Sequence, residues 1–356
     1  MVQFHRLTIA DLEKQTDDSI AVTFAVPDNL RDDYRFIQGQ HLTLRSLIDG
    51  KDVRRSYSIC SGVDDNQLRV AIKQIPDGIF SSYANSALTV GSELEVMTPM
   101  GKFSTPLDPA QAKTYVAFAA GSGITPMLSI IKTTLAREPN SNFHLFFGNR
   151  SVASIMFREE LEDIKNRHMT RFSVTNILSR EAQDIDILMG RIDGKKAKAL
   201  LAALCPVSQI DDVFLCGPQA MIEDVSKTLI ELGMSKDHIH FELFYTDDAP
   251  RAAARPIQVE SKMDTSRVTV IVHGISTEFN LAFNGGTVLD AAETHGADVP
   301  FSCKGGVCCT CRAKVIEGKV DMAVNYALEP HEVEAGFVLT CQSRPLTDKV
   351  VLDYDA

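Results

Sequence analysis

The spacing of four cysteines constrains this chain more than any other feature. The run Cys303-Lys-Gly-Gly-Val-Cys308-Cys-Thr-Cys311 is followed by Cys341, one strand and loop later. C-x₄-C-x₂-C…C is the spacing that holds a plant-type [2Fe–2S] cluster. Each iron takes two thiolates, so a tight loop must wrap the cluster, and Gly305 and Gly306 allow the backbone to turn where a Cβ would collide. The alternatives are a zinc site and a set of buried free thiols. Zinc sites usually pair two C-x₂-C hooks, and this segment has one. Cys309 matches no position in the pattern and reads as a bystander thiol.

A cluster carries single electrons and makes no bond to a substrate, so the remainder of the chain must feed it. Its 356 residues suffice for two or three domains, each with its own core. No apolar run approaches the ~20 residues of a membrane span, and Met-Val-Gln-Phe-His-Arg-Leu at the start lacks the layout of a secretory signal. Half of the eight cysteines lie in the cluster motif, and Cys60, Cys205, Cys216 and Cys309 make no disulfide framework. The expected setting is the reducing cytoplasm, with no membrane contact. A net charge of -11 argues against nucleic acid as a partner. Residues 267–356 hold twelve acids against seven bases. That excess would steer a basic docking partner, or is simply the usual solvated surface.

The chain organises into three parts. Residues 1–105 alternate short β-rich runs (22–26, 41–44, 68–73) with turns, which suggests a small antiparallel barrel. Residues 113–245 alternate apolar strands (115–119, 144–147, 173–178, 213–216) with helical stretches (126–135, 157–166, 219–232). That βαβ rhythm predicts a parallel sheet with helices on both faces. Residues 246–266 are rich in Ala, Pro, Asp and Arg without apolar period and read as a linker. As a flexible coil it would span roughly 25 Å, enough to let the last domain travel; a linker packed on the surface is the alternative. Residues 267–356 open with a hairpin (268–272 and 277–283 around His273-Gly274), and a short helix at 288–294 precedes the cysteine loop.

Phe118-Ala-Ala-Gly121-Ser-Gly123-Ile-Thr125-Pro126 follows a strand and opens a helix. Glycines let a pyrophosphate approach the backbone, and the N–H groups of a helix start then hold it. The pattern departs from G-x-G-x-x-G because Pro126 replaces the third glycine; proline suits the first helical position. A tight turn without ligand is the alternative. Arg55-Ser-Tyr57-Ser58 sits in the β-rich part, where an arginine grips phosphate and a tyrosine two residues on shares its face and stacks on a flat ring. Asp77-Gly78-Ile-Phe-Ser81-Ser82 places turn residues and hydroxyls at a helix start, a second phosphate-friendly arrangement. Cys216-Gly217-Pro218 ends the last predicted parallel strand, where ligands of such sheets bind.

Together these motifs resemble the ferredoxin–NADP reductase superfamily with a plant-type ferredoxin joined at the C-terminus. Arg55-x-Tyr57-Ser58 matches its flavin motif; Gly121–Pro126 and Cys216-Gly217-Pro218 match its pyridine-nucleotide motifs. Residues 34–44, 156–158, 190–194 and 325–330 carry a closer likeness to the reductase components of bacterial phenylacetyl-CoA epoxidases. The resemblance implies an antiparallel β-barrel flavin domain, an α/β parallel-sheet nucleotide domain and an α+β β-grasp ferredoxin domain.

It also implies residue roles. Arg55 contacts the phosphates of FAD, Tyr57 stacks on the ring, Ser58 lies at the reacting edge, and Gly78, Ser81 and Ser82 form a second phosphate loop. Gly121, Gly123, Thr125 and Pro126 hold the nicotinamide pyrophosphate. Cys216, with Gly217 and Pro218, lies near the nicotinamide; its alternative is a small core residue. Arg150, Ser179 and Arg180 follow two parallel strands, and a cation there pairs with a 2′-phosphate, favouring NADPH; a solvated arginine is the alternative. Glu242 and Phe244 either cover the flavin or sit in the core. Cys303, Cys308, Cys311 and Cys341 ligate the cluster. No carboxylate–histidine set of the di-iron type is present, so electrons leave for another protein, a di-iron oxygenase by resemblance. Two other readings remain: the reductase of another oxygenase, for an aromatic ring or a steroid, and a redox sensor without turnover.

Overall fold

The computed structural model describes residues 3–244 and 263–356. Residues 246–262 of the predicted linker lie outside the described residues; Met263 and Asp264 form a bend, and Thr265 and Ser266 already belong to a strand of the last domain. The chain divides into two compact units, residues 4–53 with 57–244, and residues 245–356 with 1–3 and 54–56.

The first unit begins with β1 (Phe4–Thr16), β2 (Ser19–Ala25), β3 (His41–Ile48), β4 (Lys51–Ser58), β5 (Leu68–Lys73), helix α1 (Ile79–Ala87) and β6 (Glu93–Met97). The strands form one sheet in the order β4-β3-β6-β1-β2-β5. Ile59, just past β4, bridges Val70 in β5, so the two edge strands meet and the sheet closes as a barrel. Alternating residues (Leu7 and Ile9; Ile20, Val22 and Phe24; Val70 and Ile72) point inward to a common core. Closure leaves no long free edge.

The second half of this unit runs β7 (Thr114–Ala120), α2 (Ile124–Arg137), β8 (Asn142–Asn149), α3 (Arg158–Arg167), β9 (Phe172–Leu178), α4 (Gly194–Leu204), β10 (Asp212–Gly217), α5 (Gln219–Glu231) and β11 (Ile239–Leu243). All pairs are parallel, in the order β11-β10-β7-β8-β9. Both faces are covered: α2 and α3 pack into one core, α4 and α5 into the other. Strands buried on both sides read as continuous apolar runs, which is why 115–119 was legible. Two expectations are corrected. β10 is not the last parallel strand, because β11, broken by His240 and Glu242, follows it. Helix α2 starts at Ile124, so Pro126 is the third helical residue rather than the first; the first four N–H groups lack helical partners, so its missing donor costs no bond there. Glu160 on α3 joins this half to the barrel by pairing with Arg69 of β5, and Lys132 of α2 adds a bond to Glu160 at 2.7 Å.

The second unit contains β12 (Thr265–Val272), β13 (Ile275–Ala282), α6 (Val288–Thr294), β14 (Arg312–Glu317), β15 (Val320–Met322), α7 (Pro330–Glu334), β16 (Phe337–Leu339), β17 (Ser343–Pro345) and β18 (Lys349–Asp353). The main sheet runs β13-β12-β18-β14-β16, with β12 and β18 parallel. Helix α6 buries Val288, Leu289 and Ala292 in the core with Val268, Val270 and Val350. One helix laid on a mixed sheet around a central parallel pair is the β-grasp arrangement expected for 267–356. Among the described residues no helix is long and apolar enough to cross a membrane.

Candidate functional site

The order of the parallel sheet reverses between β7 and β10, and a crevice forms where such neighbours part. The two nucleotide motifs lie there: Gly121–Thr125 after β7 and Gly217-Pro218 after β10. Gly121 has φ 54°, a left-handed turn suited to glycine. A Cβ on Gly123 would collide with the Cys216 carbonyl oxygen, so this glycine lets the turn close against β10. Thr125 is buried, and its hydroxyl donates to the Ser122 carbonyl at 3.0 Å. The Ile124 N–H closes the turn on the Gly121 and Ser122 carbonyls; a helix start of this kind offers its remaining N–H groups to an anion.

Beside the crevice, three distant segments meet. Cys216 of β10 is the register partner of Glu242 in β11. Ser58, at the end of β4 and 3% exposed, donates its hydroxyl to Glu242 Oε2 at 2.9 Å. His41 Nδ1 lies 4.0 Å from Glu242 Oε1, and the other ring nitrogen of His41 is buried without a hydrogen-bond partner. Burial pulls the His41 pKa down to about 4, so the ring is neutral at pH 7. Burial and the adjacent Glu242 carboxylate push the Cys216 thiol well above its usual range, and it stays protonated. A hydroxyl, a thiol and a carboxylate thus share a dry site at the end of the sheet. That donor set suits an edge that exchanges hydride and protons.

The proposed flavin cradle is equally local in its construction. Gly78 caps α1, and a Cβ there would strike Ile75 and the Ser81 hydroxyl. Ser81 faces inward, donating to the Gly78 carbonyl at 3.3 Å and accepting from Ile75 N at 3.2 Å, so it braces the loop from inside. Ser82 remains on the outer side of the first turn, its hydroxyl 3.3 Å from Gln74 Nε2. Tyr57 packs 5.7 Å from Phe80 of α1, ring to ring. Arg55 donates to the Arg54 carbonyl at 2.8 Å. Arg150 and Arg180 follow adjacent strands and are drawn together by the Arg180 N–H on the Arg150 carbonyl, at 2.8 Å. Ser179 donates to the Asn149 carbonyl, and Glu181 accepts from Val152 N at 2.8 Å.

In the second unit the thiols of the motif interact. Cys303 has Cys308 as its nearest electrostatic partner and Cys341 has Cys311, with Cys311 also feeling Cys303 and Cys308. The neighbouring sulfur holds the Cys303 and Cys341 thiols below their usual range and pushes those of Cys308 and Cys311 above it, burial adding to the rise. Among the described residues no three His, Cys, Asp or Glu side chains gather as they would around one ion. Four neighbouring thiols suit a [2Fe–2S] cluster, which takes two thiolates per iron. Backbone N–H groups already face the sulfurs, Gly305 N lying 3.3 Å from Cys303 Sγ. Cys309 has φ 54° and turns its thiol to the Ala327 carbonyl at 3.1 Å, in keeping with a bystander. Gly306 takes the left-handed turn (φ 78°) but Gly305 does not; Lys304 does so in its place.

His41 joins the site from outside the predicted set, and Glu242, expected either to cover the flavin or to sit in the core, bonds to Ser58 there. Glu242 stands in the short run Ile-His-Phe-Glu-Leu, where a lone carboxylate in a strand was the available signal. His41 had none, because its burial depends on Gly101 and Glu242, which are remote in the chain.

Three family models match the chain: an oxidoreductase FAD-binding domain over residues 6–105, an oxidoreductase NAD-binding domain over 118–227, and a 2Fe-2S iron-sulfur cluster binding domain over 270–346. A component of the 1,2-phenylacetyl-CoA epoxidase of Escherichia coli (strain K12) is 47% identical, over 100% of this chain and 99% of its own. The ferredoxin reductase component of 3-ketosteroid-9-alpha-monooxygenase from Rhodococcus rhodochrous is 33% identical, over 98% and 96%. Phthalate dioxygenase reductase shares the fold, with a TM-score of 0.59 at 24% identity and 98% of both chains covered. The barrel, the parallel sheet and the thiol loop therefore carry FAD, a pyridine nucleotide and a [2Fe–2S] cluster, and the chain belongs to the ferredoxin–NADP reductase-type oxidoreductases that join these three domains in one polypeptide.

Proposed function

We propose that this oxidoreductase takes electrons from NADPH and delivers them, through FAD and the cluster, to the di-iron oxygenase of a phenylacetyl-CoA epoxidase. The observation that carries this reading is the full-length likeness to the epoxidase component. The lower likeness to steroid monooxygenase reductases keeps a second oxygenase class as an outcome of the test. When bound, the nicotinamide gives two electrons as hydride, the flavin divides them, and the cluster carries them singly.

In this reading the chain's own residues position and insulate. The first turn after β7 binds the nicotinamide pyrophosphate through Gly121, Gly123 and Thr125, with Pro126, Gly217 and Pro218 shaping the walls. Arg55 and the turn of Gly78, Ser81 and Ser82 receive the flavin phosphates, and Tyr57 lies along the ring. Glu242 accepts the Ser58 hydrogen bond and orients its hydroxyl. Cys216 stays a neutral thiol and keeps water from the ring edge. Arg150, Ser179 and Arg180 read the 2′-phosphate. Cys303, Cys308, Cys311 and Cys341 would hold the cluster, which would supply single-electron transfer.

The test is reconstitution. The purified protein is mixed with the di-iron oxygenase of a phenylacetyl-CoA epoxidase, phenylacetyl-CoA, oxygen and either NADPH or NADH. Epoxide formation, faster with NADPH, supports the proposal. Turnover only with a steroid hydroxylase moves the partner, faster turnover with NADH reverses the cofactor assignment, and no NADPH oxidation with ferricyanide would leave the sensor reading.

A further inference from the structure

Lys304, between the first cysteine of the motif and Gly305, has a role that the spacing does not assign. Its φ is 50°, a left-handed backbone that residues with a Cβ seldom adopt. The side chain reaches to α6, with Nζ 2.9 Å from Asp290 Oδ1 and 2.6 Å from Glu293 Oε2. On the way it passes 4.6 Å from the centre of the Phe301 ring. Asp290 is itself fixed: Thr287, the N-cap of α6, donates to Asp290 Oδ2 at 2.9 Å and accepts from Asp290 N at 3.2 Å. On the backbone side, the Lys304 carbonyl accepts from Gln342 Nε2 at 2.9 Å. Gln342 follows the fourth cysteine, and the same amide nitrogen lies 3.6 Å from Cys341 Sγ. One residue thus links the helix, the C-x₄-C loop and the turn that carries Cys341.

From this geometry we propose that Lys304 is a positioning residue for the [2Fe–2S] cluster, its clamp to Asp290 and Glu293 holding the thiol loop in ligating shape. If the turn alone mattered, glycine would serve better, as it does at Gly306 with φ 78°. A lysine in that conformation is accounted for by its side-chain tether. The two carboxylates balance the ammonium where it lies, so its contribution is the shape of the loop rather than a bare positive field on the irons. The tether is 28% exposed on the lysine side, so water competes for it only in part.

The proposal rests on the four-cysteine assignment, which iron and sulfide analysis of the unaltered protein checks separately. In the full-length holoprotein, cluster loss to an iron chelator is followed by visible absorbance, alongside the reduced-cluster EPR line shape. Lys304→Met is expected to lose its cluster about tenfold faster and to broaden the EPR signal. Glu293→Gln, which touches no thiol, is expected to shift the loss rate several-fold in the same direction, and it keeps the test open if Lys304→Met does not fold. Lys304→Arg restores most of the stability; Lys304→Gly, which relieves the backbone but cuts the tether, does not. Loss at the unaltered rate in Glu293→Gln, or a Lys304→Gly protein as retentive as the original, would overturn the clamp. Absence of iron and sulfide from the unaltered protein would instead overturn the ligand assignment beneath it.

Discussion

Cys303, Cys308 and Cys311 come from a single loop, and only Cys341 must be brought to them from further along the chain. Ser58 and Glu242 are 184 positions apart, on a barrel strand and the edge strand of a parallel sheet, and still meet at 2.9 Å. The thiol site is held by backbone turns, with left-handed φ at Lys304, Gly306 and Cys309. The proposed hydride site is held by closure of two cores and by the Arg69–Glu160–Lys132 group that joins them. A local site tolerates change elsewhere and fails at its own loop. A site assembled from distant strands depends on the packing of the whole unit.

The largest effect that would break this contrast is at the thiols. Cys311→Ser should abolish the reduced-cluster EPR signal while NADPH still reduces the flavin at its normal rate. Cys309→Ser should leave the signal in place, because its thiol donates to the Ala327 carbonyl and its position lies outside the C-x₄-C-x₂-C spacing. If Cys309→Ser destroyed the signal and Cys311→Ser did not, the four-cysteine ligand assignment would be wrong. On the other side of the comparison, Ser58→Ala should slow flavin reduction by NADPH by about 10²-fold, the scale on which positioned proton-handling groups act. The cluster signal should be unchanged. A stopped-flow rate within twofold of normal would remove Ser58 from the reaction.

The same contrast decides what could be read in advance. The C-x₄-C-x₂-C spacing is a short-range pattern, and the match to a 2Fe-2S domain over residues 270–346 agrees with the cluster it pointed to. The apolar runs of β7 and β10 were visible because strands covered on both faces carry few polar residues. β11 was not, since His240 and Glu242 interrupt it, His240 bonding to Asp212 at 2.9 Å and Glu242 serving the site. Helix α4 went unseen because Lys195, Lys196 and Lys198 dilute its apolar stripe to Ala197, Leu200 and Leu201. Lys304 could not be foreseen to take the turn expected of Gly305, because the reason is a tether to a helix ten or more residues away. The roles of Glu242 and His41 are tertiary facts: each becomes part of the site only when the barrel and the sheet are packed.

A smaller effect sharpens the reading of the sheet's outer rim. Arg150 and Arg180 are exposed, so either can be an ordinary solvated cation. Arg180→Ala should lower kcat/KM for NADPH by about 10- to 150-fold, equivalent to the 1.5–3 kcal/mol of a charge-assisted bond, and alter NADH little. Initial rates with the two nucleotides measure it. Equal losses would show that Arg180 supports the fold of the rim rather than the 2′-phosphate.

The smallest effect concerns the buried ring at the hydride site, and its sign follows from proton linkage. His41 has an ordinary pKa of 6.5 in the unfolded chain and about 4 in the folded one, because burial disfavours the charged ring. Above pH 6.5 both states leave it neutral, and it contributes its full share to stability. As the pH falls from 6.5 towards 4, the unfolded chain takes up a proton that the folded chain refuses, so stability is lost. The loss grows by about 1.4 kcal/mol per pH unit and levels off near about 3 kcal/mol once the folded ring also protonates. His41→Phe keeps a ring in the same space and removes the proton. Its stability relative to the unaltered protein, measured by urea unfolding, should therefore improve steadily between pH 6.5 and pH 4, whatever its fixed packing cost at pH 7. A difference independent of pH would mean that the Glu242 carboxylate, 4.0 Å away, keeps the folded ring charged, and the hydride site would then hold an ion pair rather than a neutral imidazole.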